Sequence, residues 1–188
     1  MKKLVIVLLA AMLVFSLTSC KDKSEEMIEI YEKFCSTVTL GDRVMKTFYD
    51  SVDFDDKDDT TKLNENDISA IIGLSSGSEA GVKSIGNKVG KVEKEQTKDG
   101  NKTTITWKTI VIDYTAEDGT TGQLTINGTY EYERVIAGRA VSSSVSCKYN
   151  FTINGTSYSA DYTTESGKYS AASVDGKGVN LRILNAGM

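Results

Sequence analysis

The pattern that most constrains the fold begins near residue 88, where apolar and polar side chains start to alternate. Thr, Tyr, Val and Ile become frequent from there on. A period of two residues is typical of strands that bury one face. Gly next to Asn, Asp or Ser recurs roughly every dozen residues, and the chain has no Pro. Such dipeptides predict tight turns, so this part of the chain predicts an antiparallel β-meander.

The Asn154-Gly155 dipeptide allows the strand register to be tested. Folding the chain there as a two-residue type I′ turn places large side chains opposite one another on one face. The pairs are Phe151 with Tyr158, Tyr149 with Ala160, and Cys147 with Tyr162. The near-copy at Asn127-Gly128 fails the same test, because a turn there would put Leu124 opposite Glu131. We therefore interpret it as strand interior, with Gly128 at a close approach or a bulge.

Two more loops extend the register. A three-residue loop at 117–119 pairs Ile112 with Leu124 and Ile110 with Ile126. A two-residue loop at 137–138 predicts three further pairs: Tyr130 with Val145, Ile126 with Tyr149, and Leu124 with Phe151. A slip of one residue would turn every side chain to the other face, so this register is strongly favoured. Turns at 99–100, 166–167 and 175–176 bring the count to about seven strands, the last one ending with Val179, Leu181 and Ile183.

The segment before residue 80 predicts helices. Its first apolar stripe has spacings of three and four, through Met27, Ile30, Tyr31, Phe34, Cys35 and Val38. Ser24 is the expected N-cap of this helix, Gly41 its end, and Asp42 the cap of a second helix. An acidic loop at 50–59 follows, and 64–75 predicts a third short helix.

These elements predict an α+β fold in a single domain, residues 20–188. Residues 20–80 hold the helices and the acidic loop, and 88–185 hold the meander. One sheet face is apolar and must be covered. Either the N-terminal helices pack on it, or the sheet curls into a half-barrel or barrel that the helices plug.

The first 20 residues have the layout of a targeting segment. Lys2 and Lys3 precede an apolar run from Leu4 to Phe15, which is too short to span a bilayer and has the size of a signal-peptide core. The sequence Leu-Thr-Ser-Cys at 17–20 then resembles the lipobox of bacterial lipoproteins. The resemblance covers residues 1–20 only. It implies removal of residues 1–19 and lipidation of Cys20.

A lipid on Cys20 would make this a membrane-anchored protein of the cell envelope, because acyl chains bind bilayers through buried CH₂ groups. In that family, Asp directly after the Cys often retains the protein at the inner membrane. Lys21 occupies this position. The resemblance therefore favours the outer membrane over the cytoplasmic membrane.

The composition excludes several classes of function. The chain has no His, so a Ser-His-Asp triad, a Cys-His pair and a His-ligated zinc are excluded. The net charge of -4 argues against a nucleic-acid partner, which would require a basic face. We expect no cofactor. Glu131 and Glu133 are two apart on one strand, on the polar face, where solvated surface explains them better than a catalytic carboxylate pair.

Two other sets of residues bear on chemistry. The acidic run contains Asp53, Asp55, Asp56 and Asp58, a weak Ca²⁺ candidate whose spacing does not match the EF-hand loop. A solvated loop is the favoured interpretation, so no metal site is expected. Cys35 and Cys147 both point inward. They either form a disulfide that ties helix to sheet, or remain two buried thiols.

The sequence does not specify the ligand-binding residues. Its best functional interpretation is a non-enzymatic binding or interaction module, anchored to the membrane by its N-terminal lipid, with an unknown protein as partner. The alternative is a carrier that holds a hydrophobic ligand in a half-barrel cavity. A hydrolase is a remote third class, with no positive feature to support it.

Overall fold

A computed structural model describes residues 23–51, 63–76, 81–136 and 143–186. The three helices are α1 (Lys23–Ser51), α2 (Glu65–Ser76) and α3 (Leu181–Ala186). The seven strands are β1 (Val82–Gln96), β2 (Lys102–Ala116), β3 (Thr121–Ile136), β4 (Ser143–Ile153), β5 (Thr156–Glu165), β6 (Lys168–Val174) and β7 (Lys177–Gly178).

The strands form one antiparallel sheet in sequence order, from β1 to β7. This confirms the predicted α+β fold, with helices preceding an up-and-down meander of seven strands. In the described part of the chain β1 and β7 do not pair with each other, so the sheet is open and does not close into a barrel. None of the helices in these ranges is long and apolar enough to cross a membrane.

The register of the β4–β5 hairpin is confirmed. Tyr149 lies opposite Ala160 and Phe151 opposite Tyr158. Asn154 and Gly155 both have positive φ, at 48° and 78°, as a type I′ turn requires. The β2–β3 pairs predicted from the loop at 117–119 are confirmed as well.

Gly128 lies inside β3, as predicted, and at a close approach. A Cβ atom there would lie 2.1 Å from the carbonyl oxygen of Asn150 in β4, and φ is +152°. A bulge in β2 lies beside it, between Trp107 and Ile110. Only glycine combines this backbone angle with so near a neighbour.

The predicted β3–β4 register is wrong. Tyr130 lies opposite Tyr149, and Ile126 opposite Ile153, so the strands are displaced by four residues from the predicted pairing. The last pair is Ile136 with Ser143, so β3 ends directly before the predicted two-residue loop, whereas β4 begins five residues after it. Because the displacement is even, the same side chains still face the core.

α1 is one continuous helix, so Gly41 does not end it and Asp42 does not cap a second one. The buried positions continue past residue 41 at the helical spacing of three and four residues: Phe34, Thr37, Gly41, Val44 and Phe48. A Cβ at Gly41 would lie 2.6 Å from Cδ1 of the Tyr149 ring. Glycine is therefore present because the helix backbone packs on an aromatic ring.

α1 lies across the inner face of the sheet. Its Phe34 packs edge-on against Tyr162 and Tyr169 of β5 and β6, and its Phe48 packs in the same way on Trp107 of β2. The helix thus runs from the β7 side of the sheet toward the β1 side. α2 adds three buried isoleucines to the same core, Ile68, Ile71 and Ile72. The apolar face is covered by helices, which was the first of the two predicted arrangements.

The expected last strand is also wrong beyond residue 178. Lys177–Gly178 pairs with β6, the N–H of Val179 still donates to the carbonyl oxygen of Ala172 at 2.9 Å, and Leu181–Ala186 is a short helix. Asn180 caps it, its Oδ1 accepting a hydrogen bond from the N–H of Arg182 at 3.0 Å. Asn185 of this helix bonds both the backbone N–H and the C=O of Tyr169. Its side-chain amide thereby replaces a neighbouring strand along the edge of β6.

A candidate binding groove on the outer face of the sheet

The outer face of the sheet, turned away from the helices, carries a groove of about 340 Å³. Five strands, β2 to β6, contribute to it. Because side chains alternate along a strand, the polar residues between the core positions all point to this side. The lining residues whose side chains have the outward parity are Lys102, Glu131, Glu133, Ser146, Lys148, Asp161, Thr163, Ala171 and Ser173. Cys147, Tyr162 and Ala172 also border the groove, but their side chains pack against the core.

Charges of opposite sign alternate across the strands in this groove. Lys148 of β4 lies between Glu131 of β3 and Asp161 of β5 in the register. Lys102 of β2 lies opposite Glu133, and its Nζ is 3.6 Å from Oε1 of Glu131. Such exposed pairs add little stability individually. Their arrangement instead offers a ligand both cationic and anionic contacts at fixed spacing.

Hydroxyl groups supply the remaining polar contacts. Ser146 Oγ and Thr163 Oγ1 are 3.0 Å apart, across β4 and β5. Ser173 lies opposite Asp161 in the next strand pair. A hydroxyl both donates and accepts hydrogen bonds. These three side chains can therefore bind hydrogen-bond donors as well as acceptors of a ligand.

A charged cluster lies on β1 and β2, outside the groove. Glu93 is held by Lys108 at 2.6 Å and by Lys91 at 2.8 Å. The hydrogen bond from Lys108, followed by that from Lys91, lowers the pKa of Glu93 to about 2. Both lysines favour the ionised carboxylate, so this cluster is a stable ion triad rather than a proton-exchanging group.

The inner face holds the tyrosines and a buried thiol. The Tyr149 hydroxyl donates a hydrogen bond to Asp42 of α1. Burial, followed by the nearby Cys147 thiol, raises the pKa of Tyr149. Burial also raises the pKa of Cys147 itself, which keeps this thiol protonated and a poor nucleophile. The cluster thus ties helix to sheet and carries no evident chemistry.

A second concavity, of about 550 Å³, lies over β1, β2 and β3. Its one charged residue is Asp113, which already accepts a hydrogen bond from Gln123 at 2.8 Å. This concavity therefore offers a ligand one charged side chain, whereas the first groove offers five.

The residues singled out from the sequence divide into three groups. Cys20 and the acidic run Asp53, Asp55, Asp56 and Asp58 lie outside the described residues. Cys35 and Cys147 both face the helix–sheet interface and are free thiols in this structure. Trp107 of β2 is fully buried. Within the described ranges, no group of three acidic or cysteine side chains could hold a metal ion.

The sequence reasoning missed the groove, although part of its signal was present. The predicted β4–β5 register already placed Lys148 opposite Asp161 on the outer face. The third charge of this row, Glu131, was missed because the predicted β3–β4 register was wrong and did not place Glu131 opposite Lys148. The alternation of charge is visible only once both registers are correct.

Comparison with protein-family models, with curated proteins and with solved structures gives no match for this chain.

Proposed function

We propose that this chain is a lipid-anchored protein of the cell envelope, located at the outer membrane, that binds a partner without catalysing a reaction. The observation that carries the binding role is the outer groove, where five strands hold charges of both signs and hydroxyls at fixed spacing. The sequence at 17–20, with Cys20 as the lipidated residue, supports the anchor.

A polar segment of another protein fits this groove best. Its lining alternates between ammonium and carboxylate groups, which favours a partner that carries both charges in matching order. Pairing charges of opposite sign gives specificity and orientation more than raw affinity. The groove lies on strands, which hold side chains more rigidly than loops do.

The inner face supports the carrier alternative less well. Large side chains of α1 and α2 already fill it, among them Phe34, Phe48 and Ile68, each exposed by 1% or less. A hydrophobic ligand would have to displace these side chains from the core. Replacing these apolar contacts by contacts with an apolar ligand would gain little binding free energy. The outer face is therefore the better candidate for the binding surface.

Site-specific photo-crosslinking in intact cells tests the groove. A photoreactive amino acid at Lys148 lies in the groove, and one at Asn150 is the matched control. Both residues are exposed on the outer face of β4 and lie two positions apart, but Asn150 does not line the groove. We expect a discrete protein adduct from position 148, absent from position 150, that is lost when Glu131→Lys reverses one groove charge. Equal adducts from both positions, or none from position 148, would contradict the proposal.

A further inference from the structure

The start of α1 lies at the β7 edge of the sheet. Every side chain from Lys23 to Glu29 is exposed, and the first fully buried one is Phe34, against β5 and β6. Asn180, the cap of α3, donates from Nδ2 to Sδ of Met27 at 3.6 Å. Lys33 pairs with Asp175 at the β6–β7 turn. The first turns of α1 and helix α3 therefore form one surface, called the anchor edge below.

Apolar side chains are exposed at this edge. Seven large hydrophobic side chains are exposed in the described ranges, and three of them belong to the anchor edge. These are Met27, Ile28 and Ile183, which are 40%, 50% and 37% exposed. Scattered single exposures are ordinary, whereas a group on one edge indicates a contact surface.

The proposed lipid lies very near this edge. Cys20 is three residues before Lys23, and three residues reach about 11 Å at most when fully extended. Met27 is four residues further along the helix, about 6 Å at 1.5 Å per residue. A lipid on Cys20 would therefore keep the anchor edge close to the bilayer surface.

The charges at this edge are compatible with a membrane. Lys23, Lys177 and Arg182 are exposed there, and basic side chains are attracted to anionic lipid headgroups. The acidic residues Glu25 and Glu29 lie roughly 160° around the helix from Met27, given 3.6 residues per turn. Glu26 lies about 100° from Met27, and Glu25 lies only about 60° from Ile28, so Met27 faces away from Glu25 and Glu29 whereas Ile28 has an acidic neighbour.

We propose that the anchor edge rests on the membrane, with Met27, Ile28 and Ile183 at the boundary between headgroups and acyl chains. This inference rests on the proposed lipidation of Cys20. Its consequence is a defined orientation. The β7 side of the sheet is at the membrane, the β1 side is farthest from it, and the outer groove remains open to a partner.

Fluorescence quenching by brominated lipid tests this orientation. The full lipidated protein is reconstituted into phosphatidylethanolamine–phosphatidylglycerol vesicles, with or without brominated acyl chains. Met27→Trp and Ile183→Trp report on the anchor edge. Lys46→Trp, exposed near the other end of α1, and Lys98→Trp, in the β1–β2 turn, are the matched controls. Trp107 is buried in every variant and gives a constant background.

We expect bromine to quench the added tryptophan at 27 and 183 about twofold or more over the controls, together with a blue shift of emission. Equal quenching at all four positions would overturn the proposal. A blue shift at 27 and 183 without lipid would also overturn it, and would indicate a second copy of the chain on this edge. Incorporation of labelled palmitate is measured on the same samples. Labelled protein with equal quenching contradicts only the orientation, whereas protein without label contradicts the anchor and the orientation together.

Discussion

At the scale of single residues, the contact between Gly41 and Tyr149 fixes how α1 sits on the sheet. The absence of a side chain lets the helix backbone approach the ring, and Asp42 accepts the hydrogen bond from the hydroxyl of the same tyrosine. Both interactions come from adjacent residues of one helix. Gly41 contacts the carbon atoms of the Tyr149 ring, and Asp42 binds its hydroxyl group.

Gly41→Ala is expected to destabilise the protein, although alanine is the better helix former. Helix propensity alone predicts a gain of about 1 kcal/mol. The new Cβ would lie within 3 Å of three ring atoms of Tyr149, a side chain only 1% exposed, and overpacking costs about 1–3 kcal/mol. We expect a net loss of up to about 2 kcal/mol by urea denaturation. Thr39→Ala, exposed on the same helix, is the control and should gain up to about 0.7 kcal/mol. An increase in stability for Gly41→Ala would contradict the packing described.

The Glu93 triad predicts an acid-shifted titration. The folded pKa, about 2, is below the ordinary value of 4.5, so the triad stabilises the fold above pH 4.5. This contribution is lost as the pH falls from 4.5 through 2. NMR titration of the side-chain carboxyl should show the low midpoint, and Lys108→Met should move it up toward 4.5. A midpoint near 4.5 in the unchanged protein would show that the triad does not form in solution.

At the scale of elements, turn chemistry predicted most of the sheet. The Asn154-Gly155 turn and the 117–119 loop each fixed a correct register, because short loops leave the flanking strands one way to pair. The same reasoning failed between β3 and β4, where Ile136 pairs with Ser143 and the connection is longer than two residues. A dipeptide typical of a turn indicates where a turn can lie but does not set the length of the loop.

The helices show a different limit. Glycine is common at helix ends, so Gly41 alone predicts that the helix stops there. The apolar stripe predicts the opposite, because its spacing of three and four residues continues without a break from Phe34 to Phe48. The stripe prevailed because burial against the sheet outweighs the cost of about 1 kcal/mol for glycine within a helix. At the C-terminus, Leu181 and Ile183 alternate as in a strand, but the Asn180 cap and buried Leu184 favour a helix.

Asn185→Leu tests the role of α3 at the sheet edge. The Asn185 amide makes two hydrogen bonds to the backbone of Tyr169, and leucine makes neither. We expect a loss of about 2 kcal/mol in the free energy of unfolding, together with faster amide hydrogen exchange at Tyr169. Arg182→Leu, exposed on the same helix, should stay within about 0.5 kcal/mol. No change in exchange at Tyr169 would contradict this role.

At the scale of the whole molecule, the two sheet edges are protected in different ways. β7 is short and is followed by α3, whereas β1 has three register irregularities and carries Lys83, Lys88, Lys91 and Lys94. Bulges and lysines on an edge strand discourage pairing with another sheet. The open sheet can therefore remain monomeric while its outer face stays free for binding.

The candidate site was less predictable than the fold. Burial of apolar side chains dictates which face of each strand is inward, so the core could be inferred from the sequence pattern. Polar residues on the outer face obey no such constraint, and Lys102, Glu131 and Lys148 come together only through the long-range register. The groove could therefore be identified only from the structure.

The N-terminus of the mature protein provides the most direct test, because localisation and orientation both rest on Cys20. Mass spectrometry of protein extracted from membranes should find a chain that begins at Cys20, with acyl groups on that residue. A mature chain that starts elsewhere, or a Cys20 with an unmodified thiol, would contradict the lipid anchor.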